Sequence, residues 1–369
     1  MESQDEAALS DYRVIRIASI LFIIVVLFVI LRELSSLLLP LVLALFIVML
    51  LQPLLFFLIK KKFPNWLAVT LVSMVTLLLL FVFGMIVSNT ASQLSENGRV
   101  FIEKIIQRIE LLQMWINSKL GNFIPKIELN KYLNTFIKEM NMNDALGSLA
   151  VMLGDFGGKF LLFALYFIIL LYGFSGYKEY IIHVGGPKRG KSFLNMFEQV
   201  MLSISSYIRV KMVVSLATGF LFWLTCTIFG VEFALFWGFL AFILNFIPSI
   251  GSIVATIPPI LMGLIYLDSG FSIIVFAILL STYQIIIGNL IDPILLSGQL
   301  ELNTLTVIIG LLFWGYIWGV AGMILSVPLL VFMKIVFEQF EETEIIAKIM
   351  GKAKPKQKKA KFNLFNFSK

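Results

Sequence analysis

Ten apolar runs, at about 14–31, 34–59, 66–88, 150–173, 207–229, 231–247, 252–267, 271–291, 303–317 and 318–334, leave this chain few folds to choose from. Hydrocarbon offers no water to a backbone N–H or C=O, so a segment that enters it must satisfy those groups within itself, as a helix does. With 59% hydrophobic residues, 14% charged residues and a mean hydropathy of +0.96, packing the chain as a soluble domain would leave large apolar faces wet. The expected fold is an all-α polytopic transmembrane helical bundle. A crossing takes roughly 20 residues at 1.5 Å each, and several of the later runs fall short of that. The short runs are candidates for half-helices.

Basic residues in short loops favour the cytoplasm and set the orientation. Lys60, Lys61 and Lys62 mark one such loop. Lys178, Lys188, Arg189, Lys191, Arg209 and Lys211 mark a second, and the tail from Lys348 to Lys361 carries seven lysines and no acid. Ten full crossings put both termini in the cytoplasm, and so do eight crossings with a re-entrant pair over 303–334. The run starting near Val14 has no basic leader and no Ala-x-Ala-like cleavage site, so it reads as a retained span.

The chain divides into an N-terminal tip with three spans (1–88), an extracytoplasmic insert (89–149), a fourth span with a basic loop (150–206), a C-terminal core (207–336) and a polybasic tail (337–369). In the insert, Phe101, Ile105, Ile109, Leu112 and Ile116 recur at helical spacing, as do Tyr132, Phe136 and Met140. Amphipathic helices are expected there. Its seven basic and six acidic residues argue against a nucleic-acid surface, and the net charge of +7 belongs to orientation.

The stretch Gly185 to Ser192 satisfies the phosphate-loop pattern G-x-x-x-x-G-K-[ST]. Holding a nucleotide that way needs a preceding buried strand and a second strand bearing an acid for magnesium. Only a short span separates the flanking apolar runs, so a glycine-rich turn is the expectation. Cys226 has no partner for a disulfide, and His183 stands alone. No catalytic constellation emerges, so neither an enzyme nor a cofactor nor a metal site is expected.

Chemistry concentrates where the later runs are interrupted. Asn245, Pro248, Ser249, Gly251 and Pro258 break one region. If the chain stays near-helical there, Asn245, Ser249, Ser252 and Thr256 share a face. Ser281, Gln284, Gly288 and Asp292 share another at three, four and four residues, with Asn289 beside them. Two polar faces that meet line a route for a hydrophilic solute; equally, such residues glue helices together, and Asp292 caps a helix at the interface. Between Gly310 and Pro328 the glycines, Gly319 and Gly322 among them, permit either a hairpin within the membrane or one long, tightly packed helix.

Asn245-Phe-Ile-Pro-Ser-Ile-Gly251 with Ile257-Pro258, then Asp292-Pro293, then Gly319-Val-Ala-Gly-Met-Ile-Leu-Ser-Val-Pro328, resemble the signature stretches of the autoinducer-2 exporter family of bacterial membrane proteins. The resemblance covers nearly the whole chain. It departs at Val210 and Lys211, where relatives often carry glycine and glutamine. The resemblance implies about eight spans, a homo-oligomer and a secondary transporter or facilitator in the cytoplasmic membrane. Its partners are then the lipid bilayer and a small-molecule solute such as a quorum-sensing autoinducer. Exchange of a monovalent cation for protons is the alternative within the family. A non-transporting scaffold, recruiting partners through the insert and the basic tail, is the alternative outside it.

Overall fold

The computed structural model describes residues 18–19, 22–23, 25–120, 142–174, 176–296 and 302–352. These are helical apart from short connections, and among them the sole β-type pairing is an isolated bridge between Leu302 and Gly351. The helices are α1 (Ser35–Lys60), α2 (Asn65–Leu120), α3 (Met142–Gly173), α4 (Tyr177–Gly185), α5 (Lys191–Ile228), α6 (Ala234–Leu244), α7 (Ile250–Tyr266), α8 (Gly270–Ile286), α9 (Asp292–Leu295), α10 (Thr304–Phe337) and α11 (Glu344–Met350). Among the described residues five stretches, in α1, the first part of α2, α4–α5, α8–α9 and α10, have the length and apolar composition to cross a bilayer, α10 by contour length alone since it folds back on itself. The surface is apolar as hydrocarbon requires, with Phe271 77% and Leu161 71% exposed.

Of the first apolar run, 14–31, residues 14–17, 20–21 and 24 lie outside the described residues. Residues 25–33 are helical and lead into α1 through a kink at Leu34, whose carbonyl still accepts from Leu38 N–H. The third run continues far beyond its apolar part, because no proline interrupts the 56 residues of α2. The change from apolar to amphipathic sequence at 88–89 therefore falls inside one helix, and Phe101 to Ile116 belong to it. Arg108 on this extension donates to Asp268 between α7 and α8 at 2.7 Å. The stripe of Tyr132, Phe136 and Met140 lies outside the described residues.

The phosphate-loop pattern joins α4 to α5 as a π-helical turn over Gly186–Gly190. A Cβ on Gly185 would lie 2.6 Å from Gly190 Cα, so the glycines serve a close backbone approach. No strand precedes this turn, and the nucleotide reading has no structure to stand on.

Two helical hairpins organise the C-terminal half. In the first, α6 packs back along α5, and a Cβ on Gly219 would meet the Gly238 carbonyl at 2.7 Å. The chain then reverses again through Asn245–Ser249, where Ser249 takes φ 61°, and α7 returns beside α6. A Cβ on Gly251 would lie 1.8 Å from the Leu244 carbonyl, so only glycine fits this tip.

The second hairpin is α10. A straight helix would hold Gly310 and Leu330 about 30 Å apart at 1.5 Å per residue. Instead a Cβ on Gly310 would stand 2.4 Å from the Leu330 side chain, one on Gly315 would stand 2.9 Å from Met323, and one on Gly322 would overlap the Trp314 carbonyl. The reversal is at Trp318 and Gly319, the latter at φ 61°, ψ −143°, a conformation open to glycine. The region 303–334 is thus a helical hairpin rather than one long helix. Trp318 Nε1 anchors its tip by donating to the Leu31 carbonyl at 3.0 Å.

Candidate functional site

The first hairpin tip, the middle of α5, the end of α8 and the start of α10 enclose a cavity of about 810 Å³. Both polar faces read from the sequence reach it. Asn245, Ser249, Ser252 and Thr256 line one side, and Ser281, Gln284, Gly288, Asn289 and Asp292 the other, with Pro248 at the tip between them. Gly251, Pro258, Gly319 and Gly322 do not line it. Gly251 permits the tip reversal, Pro258 lies within α7 between the lining residues Ile257 and Ile260, and Gly319 and Gly322 shape the α10 hairpin.

A local irregularity brings Asn289 to the cavity together with Gly288. Pro293 has no N–H to offer the Asn289 carbonyl four residues before it. The Asp292 N–H in turn reaches back five residues to the Ile287 carbonyl, and Ile287–Ile291 widens into a π-turn. One extra residue per turn places Gln284 and Asn289, five apart, on the same side.

Lys211 is the cavity-lining side chain that sequence reading misplaced. Counted there among the basic residues of a cytoplasmic loop, it stands in the interior of α5, 4% exposed, and its ammonium donates to Asp292 Oδ2. A charge at this depth needs a partner, and Asp292 is it. The signal was available: Lys211 is followed by Met212, Val213 and Val214 within an apolar run, where an unpaired lysine is costly. Glu232 and Asp268, by contrast, sit in the connections between helices, accepting from Tyr266 and Arg108.

The hydrogen-bonding of the cavity wall is incomplete. Asn245 Nδ2 donates to Ser215 Oγ on α5 at 3.0 Å, and Thr256 returns its hydroxyl to the Ser252 carbonyl at 2.7 Å. Gln284 is 6% exposed, yet neither its amide nitrogen nor its amide oxygen has a partner, and Asp292 Oδ1 is likewise buried and unpaired. Buried amides almost always find partners, so an orphaned one on a cavity wall marks where another polar molecule fits. Among the described residues no three of His, Cys, Asp and Glu gather so as to hold a metal ion.

A second cavity, of about 770 Å³, lies between α1, α2, α5 and α6. Its walls are almost wholly apolar, with Phe46, Leu80, Phe83, Phe239 and Phe242 among them. It lacks the groups to recognise a hydrophilic solute and reads as a cleft facing hydrocarbon. Tyr207 lines both cavities.

Apolar helices folded around a polar cavity with a buried ion pair define a polytopic membrane protein. The chain belongs to the AI-2E family of transporters, whose family model, described as AI-2E family transporter, matches residues 17–342. It is 27% identical over 337 residues to the AI-2 transport protein TqsA of Escherichia coli (strain K12), covering 91% of this chain and 96% of that one. YhhT of the same organism, whose name marks it as a candidate transport protein, is 33% identical over 177 residues, 48% of each chain. That match spans about half of YhhT's length. A candidate transport protein of Haemophilus influenzae (strain ATCC 51907 / DSM 11121 / KW20 / Rd) is 27% identical over 329 residues, 86% of this chain and 90% of that one.

Proposed function

We propose that the chain is a secondary transporter or facilitator that moves a small hydrophilic solute across the cytoplasmic membrane, both termini lying inside, through the cavity at the first hairpin tip. The orphaned amide of Gln284 carries this reading. A glutamine that cemented helices would spend its amide on a neighbouring helix, whereas this one lines the cavity with both its donor and its acceptor buried and unpaired. Asn245, Ser252 and Asn289 surround the same volume, and Lys211 with Asp292 ties α5 to the start of α9 on its wall.

Movement of one hairpin against the rest of the bundle would expose the cavity to either side in turn. Autoinducer-2, the solute in the name of TqsA, is the first to test. The purified protein in vesicles is expected to release entrapped solute faster than protein-free vesicles, and Gln284→Leu is expected to slow release; equal release by protein and blank vesicles for every solute tried would end the reading.

Cation/proton exchange is the second reading, favoured by the unpaired Asp292 Oδ1. It requires cation-driven proton movement that disappears in Asp292→Asn. Assembly into a homo-oligomer completes the proposal and is read from the mass of the detergent-solubilised particle.

A further inference from the structure

We infer that the cavity selects molecules bearing a compact anionic group, a carboxylate or phosphate, seated at Lys211 and the first turn of α7; this rests on the cavity being the solute site. Its titratable lining is unequal, since Lys211 and Lys352 stand against Asp292 alone. The lysine ammonium has three donors and Asp292 Oδ2 takes one, so Lys211 can serve an anion without releasing its partner.

The backbone adds to this preference. Helix α7 begins at the cavity wall with Ser249, which makes no capping hydrogen bond, and Ser252 of its first turn lines the cavity. Within that first turn the Ile250 and Gly251 N–H groups already donate to the Pro248 and Ile247 carbonyls, which leaves the Ser252 N–H and the positive end of the helix to favour negative charge. The opposing end of α6 is neutralised within the chain, its Ile243 and Leu244 carbonyls accepting from Phe246 and Ile247 N–H. Gln284, buried and without a partner on the same cavity, supplies a further donor through Nε2 and an acceptor for a hydroxyl beside the anion. A cation would meet two lysines and a carboxylate whose charge Lys211 already offsets through Oδ2, and an uncharged polyol would leave the lysines unused.

The test uses the full-length protein in phosphatidylcholine nanodiscs, with glycerol 3-phosphate as the anionic probe and glycerol as its uncharged match. Saturable binding of glycerol 3-phosphate, and none of glycerol over the same range, is the expected result. Removing charge at one partner strands the other, so the decisive variant is the double Lys211→Gln/Asp292→Asn, which is expected to weaken anion binding about tenfold or more by deleting a charge-assisted hydrogen bond. Lys352→Gln, at the exposed mouth, is expected to weaken it about two- to threefold. Adding phosphatidylglycerol separates the sources: competition with the soluble probe that the double variant abolishes assigns the site to a lipid headgroup, and absence of competition assigns it to a free solute. Equal binding of glycerol and glycerol 3-phosphate, or anion binding that survives the double variant, overturns the inference. Transport of uncharged solutes without anion preference would sink the inference alone, whereas absence of all transport would sink the function it rests on.

Discussion

Lys211 on α5 and Asp292 at the start of α9, 81 positions apart in sequence, form an ion pair on the wall of the polar cavity, their side chains 5% and 15% exposed. The contact joins the helix that carries the first hairpin to the segment leading into the second. A pair this enclosed is expensive to break singly, because each charge removed leaves the other stranded.

Replacing Lys211 by Met, or Asp292 by Asn, is therefore expected to lower stability by about 3–5 kcal/mol. The double replacement is expected to recover most of that loss. Thermal unfolding of the detergent-solubilised variants measures the cycle, and additive losses in the double variant would mean that the two groups do not depend on each other.

Gln284→Leu separates a lining role from a cementing one. An unpaired buried amide costs about 1–3 kcal/mol, so its replacement by an apolar side chain is expected to leave the melting temperature unchanged or raised while solute release falls. A drop in melting temperature with release intact would assign Gln284 to helix packing.

The α10 hairpin is open to a chemical test. On a Cys226→Ala background, Gly315→Cys with Met323→Cys is expected to cross-link readily, because the two sites touch across the hairpin. A straight helix would hold them about 12 Å apart along its axis and forbid the bridge.

The first hairpin tip depends on Gly251. Gly251→Ala would drive a methyl into the Leu244 carbonyl, and the expected result is loss of solute release together with a destabilisation of at least about 1–3 kcal/mol. Lys191→Ala, in the phosphate-loop pattern, is expected to leave release unaltered, with no ATP binding by wild type or variant in a filter assay.

Much of this could be read from the residues. The apolar runs placed the helices because burial in hydrocarbon is written into composition, and helical spacing alone brought Gln284 and Asp292 to one face. The meeting of that face with Asn245 and Ser252 did not come from near-helical spacing across Pro248: the chain reverses through Asn245–Ser249, and the reversal brings both residues to the cavity. Three features were less legible for physical reasons. Lys211 was assigned by a rule for loops, and its true neighbour lies 81 residues away, where local pattern says nothing. The π-turn at Ile287–Ile291 comes from a missing donor at Pro293, which shifts a face by one residue without changing hydropathy. The length of α2 was hidden because a helix can pass from apolar to amphipathic sequence without a break.

Tyr207 has a polar cavity on one side and an apolar one on the other. Along that stretch of α5 one residue borders both, so a change at Tyr207 would bear on two compartments at once. In the proposed transport cycle α5 would be the fixed element against which the hairpins move.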